Sequence, residues 1–302
     1  MTVPLLEVED LRLTYRSRGR SLRARPVEVL HEVSLTVAEG ETLGLVGESG
    51  SGKTTIGRAV LGLARPSAGS ITWDGQDITH AGRRERRALA RDIQVVFQDP
   101  YSSLNPALTI GDTLAEPLTV QGVGAREARR KVGALLDRVG LPADASQRLP
   151  REFSGGQRQR VAIARALAPE PRLIVCDEPV SALDLSTQAR VLDLFIDIQR
   201  RTGVAYLFIS HDLAVVRHIS HRVAVLHRGE VVETGPAPAV TSAPRHPYTR
   251  RLVLASPVAD PVEQEKRRAA RGRLTVSVET SPTPDSTGAT AVQKTDFHRG
   301  TR

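Results

Sequence analysis

An eight-residue segment near the N-terminus has the residue types of a phosphate-binding loop. Gly47 opens the segment and Gly52 precedes Lys53 and Thr54, which matches the pattern G-x-x-x-x-G-K-[ST]. Glycines let backbone N–H groups surround phosphate oxygens, and the positive end of the next helix attracts the same anion. We expect Lys53 to reach the β- and γ-phosphates of ATP and the Thr54 hydroxyl to bind Mg²⁺. The predicted nucleotide-binding residues here are Gly47, Glu48, Ser49, Gly50, Ser51, Gly52, Lys53, Thr54 and Thr55.

Two carboxylates follow a short apolar run later in the chain. Leu173–Cys176 indicates a buried strand, and Asp177 and Glu178 come directly after it. Ligands bind at the carboxyl ends of strands in open α/β sheets, where an aspartate can hold Mg²⁺ and a glutamate can deprotonate water. A strand that merely ends in a polar loop is the alternative, and the upstream loop favours function. We predict Asp177 as a metal ligand and Glu178 as the general base.

A second segment combines a serine and two glycines with the start of a helix. Ser154 is a suitable N-cap, and an amphipathic helix is expected over Arg158–Leu167. Exposed amides, a hydroxyl and a helix dipole again suit an anion, although ordinary capping explains them too. Because the first loop already holds one nucleotide, a second phosphate-binding surface suggests contact across a dimer. The predicted residues of this surface are Ser154, Gly155, Gly156 and Gln157.

Short apolar runs alternate with longer helical periods, which favours an α/β fold that positions these residues. Leu5–Tyr15 and Val29–Val37 alternate as half-buried antiparallel strands do, whereas Thr42–Val46 indicates a buried strand before the loop. Between about residues 99 and 165 helical patterns dominate, so we expect an inserted helical subdomain. Further expected strands are Ser70–Trp73, Ile93–Phe97 and Val204–Ile209, and further expected helices are Lys53–Leu63, Ile110–Gln121, Arg126–Gly140 and Ser186–Arg201.

Composition limits the remaining possibilities. The 302 residues carry a net charge of +8, but acids are interspersed among the arginines and only 3% of residues are aromatic. We therefore expect no nucleic-acid partner. The acidic N-terminus argues against a secretory signal, no apolar run reaches the ~20 residues of a membrane span, and Cys176 is the single cysteine. Residues 261–302 are expected to form a largely disordered extension, because Glu279–Arg302 is poor in apolar residues.

In this order, the loop, the Ser154–Gln157 segment and the Asp177–Glu178 pair resemble the ATP-binding cassette (ABC) ATPases. The resemblance extends over residues 3–257. It implies an α/β P-loop NTPase fold with a mixed sheet, an antiparallel β subdomain and an inserted helical subdomain, so that residues 1–260 form one nucleotide-binding domain. It also implies that two cassettes close head to tail on shared ATP.

Other residues match positions of that family one by one. The resemblance implies that Gln98 contacts Mg²⁺ and water and couples to the membrane partner. It implies that His211 contacts the γ-phosphate and that Tyr15 stacks on adenine. Ser181–Asp184 resembles the loop that crosses the dimer interface. Glu178, His211 and Gln98 are therefore the expected catalytic residues, and Thr54, Gln98 and Asp177 are the expected metal ligands.

Two further segments, Gln98–Pro106 and Arg245–Thr249, resemble the oligopeptide and dipeptide importer ATPases. Those importers use two different ATPases, and Ala115–Leu118, Phe153 and Pro179–Asp184 resemble the second of the pair. The resemblance implies a peripheral protein on the cytoplasmic face of the cell membrane. Its implied partners are a second ABC ATPase, with a heterodimer favoured, two transmembrane permease subunits and, indirectly, a solute-binding protein.

The chain departs from that group at two places. It has no cysteine near its C-terminus, so no iron–sulfur cluster is expected, and the arginine-rich stretch Arg16–Arg25 is unexplained. Three alternative functions stay open: a soluble cassette acting on nucleic acid or ribosomes, an export cassette, and an ATP-sensing scaffold without turnover. A single cassette without a coiled coil disfavours the first, and the presence of Glu178 and His211 disfavours the last. The sequence does not specify the solute.

Overall fold

Ten strands form in the described residues, 3–16, 26–99 and 103–255, of this computed structural model. In chain order they are β1 Leu6–Arg16, β2 Pro26–Val37, β3 Thr42–Val46, β4 Ala68–Trp73, β5 Gln76–Asp77, β6 Ile93–Val96, β7 Leu173–Asp177, β8 Ala205–Ser210, β9 Arg222–His227 and β10 Glu230–Pro236. Four strands form an antiparallel sheet in the order β2-β1-β4-β5, and six form a second sheet in the order β10-β9-β3-β8-β7-β6. The predicted antiparallel subdomain and mixed sheet are both confirmed.

The second sheet gathers several strand ends at one edge. Strand β3 runs parallel to β8 and β9, and β7 runs parallel to β8 and β6, whereas β10 is antiparallel to β9. Every residue of β3 and β8 is buried, which explains their continuous apolar sequences. Val46 lies opposite Ser210, and Asp177 lies opposite Ile209. Residues that follow β3, β7 and β8 therefore emerge side by side.

Helices cover the sheets and form the insertion. In the described residues they are α1 Lys53–Val60, α2 Arg83–Leu89, α3 Ile110–Val120, α4 Ala125–Arg138, α5 Gly155–Leu167, α6 Leu185–Thr202, α7 Leu213–Ile219, α8 Ala237–Ser242 and α9 Pro247–Ala255. Helices α3 and α4 are the predicted helical subdomain, and their Leu114 and Leu136 share one buried core with Val161 of α5 and Phe208 of β8. A second core joins the two sheets around Ile56 of α1.

Two predicted helix limits differ from the structure by three residues, and the reasons are local. Helix α1 ends at Val60 rather than Leu63, because the Leu63 N–H closes back on the Arg58 carbonyl at 2.8 Å in a helix-ending turn. Helix α5 begins at Gly155 rather than Arg158. Its two glycines are helical because Ser154 and Gln157 cap each other's backbone N–H groups.

Some predictions fall on residues outside the described ranges. These are the rest of the arginine-rich stretch after Arg16, residues 100–102 of the segment Gln98–Pro106, and the extension 261–302. In the described part of the chain, no helix combines the length and the apolar sequence that a bilayer crossing requires.

Candidate functional site

The glycine-rich loop connects the carboxyl end of β3 to the first turn of α1. A Cβ on Gly47 would lie 2.1 Å from the carbonyl oxygen of Leu226, so only glycine fits at this close approach to β9. The exposed residues of the loop are Glu48, Ser49 and Gly50, and its buried residues are Gly47, Ser51, Gly52, Lys53 and Thr55. The buried Ser51 hydroxyl has no hydrogen-bond partner among the described residues. A phosphate oxygen would supply that partner, so the loop fits an anion.

The Lys53 ammonium group is buried beneath this loop. Its side chain donates to the carbonyl oxygens of Gly47 and Glu48, both at 2.8 Å. Burial lowers the pKa of Lys53, and the negative charges of Glu178 and Asp177 partly oppose this effect. A buried cation that relies on two neutral carbonyls would be stabilised further by an anionic ligand.

Thr54 and Asp177 join the loop to the end of β7. The Thr54 hydroxyl donates to Oδ1 of Asp177 at 2.9 Å. Burial raises the pKa of Asp177, while the hydrogen bond from Thr54 acts in the opposite direction. A hydroxyl beside a partly buried carboxylate offers the oxygen ligands that Mg²⁺ prefers. The two residues therefore fit the metal predicted from the sequence, together with water and phosphate oxygens.

Two side chains, each from just after a neighbouring strand, contact the same carboxylate oxygen of Glu178. The Gln98 amide, just after β6, donates to Oε2 of Glu178 at 3.3 Å, and Nδ1 of His211, just after β8, lies 3.1 Å from the same oxygen. The Glu178 side chain is 18% exposed, whereas His211 is 56% exposed. The three predicted catalytic residues are thus in contact. A carboxylate held at this edge can accept a proton from a water molecule.

The backbone of Glu178 is fixed in an uncommon conformation. Its φ of 49° lies in the left-handed region, which non-glycine residues rarely occupy. The Glu178 N–H donates to the Ile209 carbonyl at 3.0 Å, and its carbonyl accepts from the Ser181 hydroxyl at 3.0 Å. The first bond attaches the turn after β7 to β8, and the second closes the turn itself.

The second predicted anion surface lies at the start of α5. The Ser154 hydroxyl accepts from the Gln157 N–H at 3.3 Å, and the Gln157 side chain accepts from the Ser154 N–H at 3.0 Å. Tyr15 lies in β1 opposite Val27 and is 41% exposed. Within the described residues, no hydrogen bond or ion pair joins Ser154 or Tyr15 to the glycine-rich loop. Their predicted roles stay predictions.

The sequence does not predict that Tyr248 contacts the loop. The hydroxyl of Tyr248, in α9, accepts a hydrogen bond from the Glu48 N–H at 3.0 Å. Tyr248 belongs to the segment Arg245–Thr249, which the sequence relates only to the peptide importer ATPases. Its distance along the chain, 200 residues from Glu48, gave no signal of this contact.

Comparisons with known proteins agree with this geometry. The family model described as ABC transporter matches residues 30–181. The glutathione import ATP-binding protein GsiA of Pectobacterium atrosepticum is 51% identical over 268 residues, which are 88% of this chain and 43% of that protein. The chain therefore spans less than half the length of this curated relative.

Solved structures share the fold. The dimeric ATP-binding cassette MJ0796, in a post-hydrolysis state bound to ADP and Pi, superposes with a TM-score of 0.68 at 30% identity. That match covers 77% of this chain and 98% of MJ0796. CbiO1 from Clostridium perfringens, part of the transporter complex cbiONQ, superposes with a TM-score of 0.70 at 25% identity, covering 91% of this chain and 99% of CbiO1.

Proposed function

Because the chain belongs to the ABC transporter family of ATP-binding cassettes, we propose that it binds and hydrolyses ATP to drive solute import through separate membrane subunits. The observation that carries the proposal is the convergence of Gln98 and His211 on one oxygen of Glu178. This group lies at the same sheet edge as the pair Thr54–Asp177. A carboxylate that can accept a proton and an oxygen pair that suits a metal therefore lie at one edge of the sheet, next to a loop that fits an anion.

The chemistry follows from these positions. The phosphates of ATP bind the loop amides, and Lys53 turns from the Gly47 and Glu48 carbonyls toward the β- and γ-phosphates. Thr54 and Asp177 would hold Mg²⁺, and the ion would supply positive charge that offsets the charge of the phosphates. Glu178 accepts a proton from the attacking water, and His211 contacts the γ-phosphate. Because Lys53 is buried, its positive charge acts through a medium of low dielectric constant and attracts developing negative charge more strongly than it would in water.

A second cassette completes each site in this proposal. The start of α5 offers the Ser154 hydroxyl and helix-end amides to a phosphate, yet its hydrogen bonds within this chain stay in its own capping box. The dimeric form of MJ0796 bound to ADP and Pi supports the arrangement by similarity. A different ATPase is the favoured partner, as in the importers that Gln98–Pro106 and Arg245–Thr249 resemble.

An open groove between α2, β6 and α3 is the proposed contact for the permease subunits. It encloses about 770 Å³ and is lined by residues that include Arg91, Gln94, Glu116, Val120, Lys131 and Arg165. Gln94 lies in β6, four residues before Gln98. In this proposal, a movement of a membrane subunit in the groove displaces β6. The displacement is passed along the chain from Gln94 to Gln98, which contacts Glu178. The chain would then work as a peripheral protein at the cytoplasmic face of the membrane.

The proposed cargo class is small peptides, since the relative GsiA is named for glutathione import. Selection of the cargo rests with a solute-binding protein and the permeases. Transport into proteoliposomes that contain the permeases, the sister ATPase and this chain tests the whole proposal, with glutathione and dipeptides as solutes. ATP-dependent uptake that stops in Glu178→Gln supports it. ATP turnover that responds to nucleic acid or ribosomes, and not to permeases, would overturn it.

A further inference from the structure

The C-terminal helix of the described chain reaches the glycine-rich loop through one side chain. The Tyr248 hydroxyl accepts the N–H of Glu48, the second residue of the loop, at 3.0 Å. Tyr248 is only 3% exposed. Burial raises the pKa of this phenol, so it stays neutral and does not repel a phosphate.

The position of the Tyr248 ring is set by the strand that also supports the loop. The ring stacks on His227, with centroids 3.9 Å apart and an angle of 29° between the planes. His227 ends β9 and follows Leu226, whose carbonyl is in close approach to Gly47. Tyr248 also shares a buried apolar cluster with Val46, the residue before the loop.

The backbone that carries Tyr248 is also anchored. The Glu233 carboxylate, in β10, accepts the N–H groups of Arg245 at 2.8 Å and His246 at 3.0 Å. The Tyr248 N–H donates to Nδ1 of His246 at 3.2 Å. The residues just before α9 are therefore bonded to the edge strand β10. These bonds fix the start of the helix and, with it, the position of the Tyr248 hydroxyl.

Two groups hold residue Glu48 from opposite sides of its backbone. Tyr248 accepts its N–H, and Lys53 donates to its carbonyl at 2.8 Å. When Lys53 turns to the phosphates, as the proposed function requires, the second bond is lost and Tyr248 keeps the first. The Glu48 N–H is thereby committed to the protein, and the amides that face phosphate come from the later residues of the loop.

We propose that Tyr248 is a positioning residue that holds the entry of the phosphate-binding loop in its nucleotide-accepting conformation while Lys53 engages ATP. The inference rests on the proposed function for its ligand. Because the bond acts on loop geometry rather than on Glu178, Tyr248 sets nucleotide affinity and KM, and kcat at saturating ATP depends on it little.

The test uses the full chain and the non-hydrolysable analogue AMP-PNP with Mg²⁺, with binding measured by calorimetry. Tyr248→Phe removes the hydroxyl and keeps the stacked ring. We expect affinity to fall about three- to tenfold, the scale of one neutral hydrogen bond. The matched control is Tyr206→Phe, which also deletes a buried hydroxyl, bonded to the Phe195 carbonyl at 3.1 Å. Tyr206 pairs with Thr42 at the opposite end of β3, so the control should bind AMP-PNP like the parent chain.

A second variant identifies the bond itself. Glu48→Pro removes the N–H donor, and in that background Tyr248→Phe should cause no further loss of affinity. In the complex with its partners, Tyr248→Phe should raise KM for ATP and leave kcat within about twofold. Equal affinity of parent and Tyr248→Phe overturns the inference, as does an equal loss in Tyr206→Phe. Failure of the parent chain to bind AMP-PNP would instead refute the proposed function.

Discussion

Gly156 in the first turn of α5 packs directly against the side chain of Thr187 in the first turn of α6, and the contact leaves no room for a side chain on residue 156. A Cβ on Gly156 would lie 2.3 Å from Cγ2 of Thr187, which is far inside van der Waals contact. Thr187 is itself held by Asp184, whose carboxylate accepts the Thr187 N–H at 3.0 Å. The glycine of the Ser154–Gln157 segment and the loop that ends at Asp184 are therefore packed as one unit.

The first prediction is that Gly156→Ala destabilises the chain and that Thr187→Ala restores it. An added methyl group at such a contact costs about 1–3 kcal/mol in overpacking. The Thr187→Ala change removes the clashing methyl and keeps the backbone bond to Asp184. Thermal unfolding of the single and double variants measures the effect. Equal midpoints for parent and Gly156→Ala would show that the contact is not restrictive.

The second prediction concerns Glu178. Glu178→Gln should keep ATP binding and lower turnover in the assembled complex about 10²-fold or more, because the amide cannot accept the proton. Glu32→Gln is the matched control, since Glu32 also has a left-handed backbone, with φ of 53°, but pairs with Arg12 in the antiparallel sheet. Turnover near that of the parent in Glu178→Gln removes the glutamate from the role of base.

The third prediction separates stability from binding at Lys53. Lys53→Met should leave the thermal midpoint equal or higher, because a buried ammonium group is expensive to desolvate and burial already lowers the pKa of Lys53. Nucleotide binding and hydrolysis should be lost together. Lys131→Met removes a half-buried lysine that pairs with Glu170, and it should not change nucleotide binding by the isolated chain. A large drop in the midpoint of Lys53→Met would indicate that the ammonium group mainly supports the fold.

The fourth prediction is that hydrolysis requires a divalent cation held by Thr54 and Asp177. Chelation with EDTA should abolish turnover, and added Mg²⁺ should restore it. Thr54→Val should raise the Mg²⁺ concentration needed for half-maximal activity about tenfold or more, whereas Thr54→Ser, which keeps the hydroxyl, should stay near the parent. Identical Mg²⁺ dependence in all three chains would argue against Thr54 as a ligand.

The fifth prediction is that the isolated chain is a poor ATPase. In the proposed dimer, the Ser154 segment of another cassette supplies a donor to the phosphates from the side opposite the loop. Specific activity should rise when the sister ATPase is added, and Ser154→Ala should reduce this gain. High activity that is independent of protein concentration and of partner would mean that one chain forms a complete site.

Several features of the structure follow from local sequence, and others do not. Thr42–Val46 was predicted with its observed limits, because a short run without charged residues directly before a glycine-rich loop is typical of a buried strand. The start of α5 was missed because glycines disfavour helix, and the capping pair Ser154 and Gln157 outweighs that preference. The shared oxygen of Glu178 depends on the order of β6, β7 and β8, which motif spacing does not encode.

The contact between Tyr248 and Glu48 could not be predicted from the sequence either, because it also depends on the order of strands in the sheet. Glu48 and Tyr248 meet because β9 lies next to β3 and α9 folds back beside both. No motif in the sequence indicates a role for His227, the stacking partner of Tyr248. Long-range packing of this kind leaves no periodic trace in a single sequence.

The left-handed backbone of Glu178 has a consequence for how this chain can change. Glutamate in that conformation costs about 1–2 kcal/mol relative to glycine, which occupies it freely. Glu178→Gly would relax the turn and remove the carboxylate in one step. Libraries selected for thermostability alone should therefore drift away from the acid at this position, whereas selection for transport should restore it. Folding and turnover make opposing demands on residue 178.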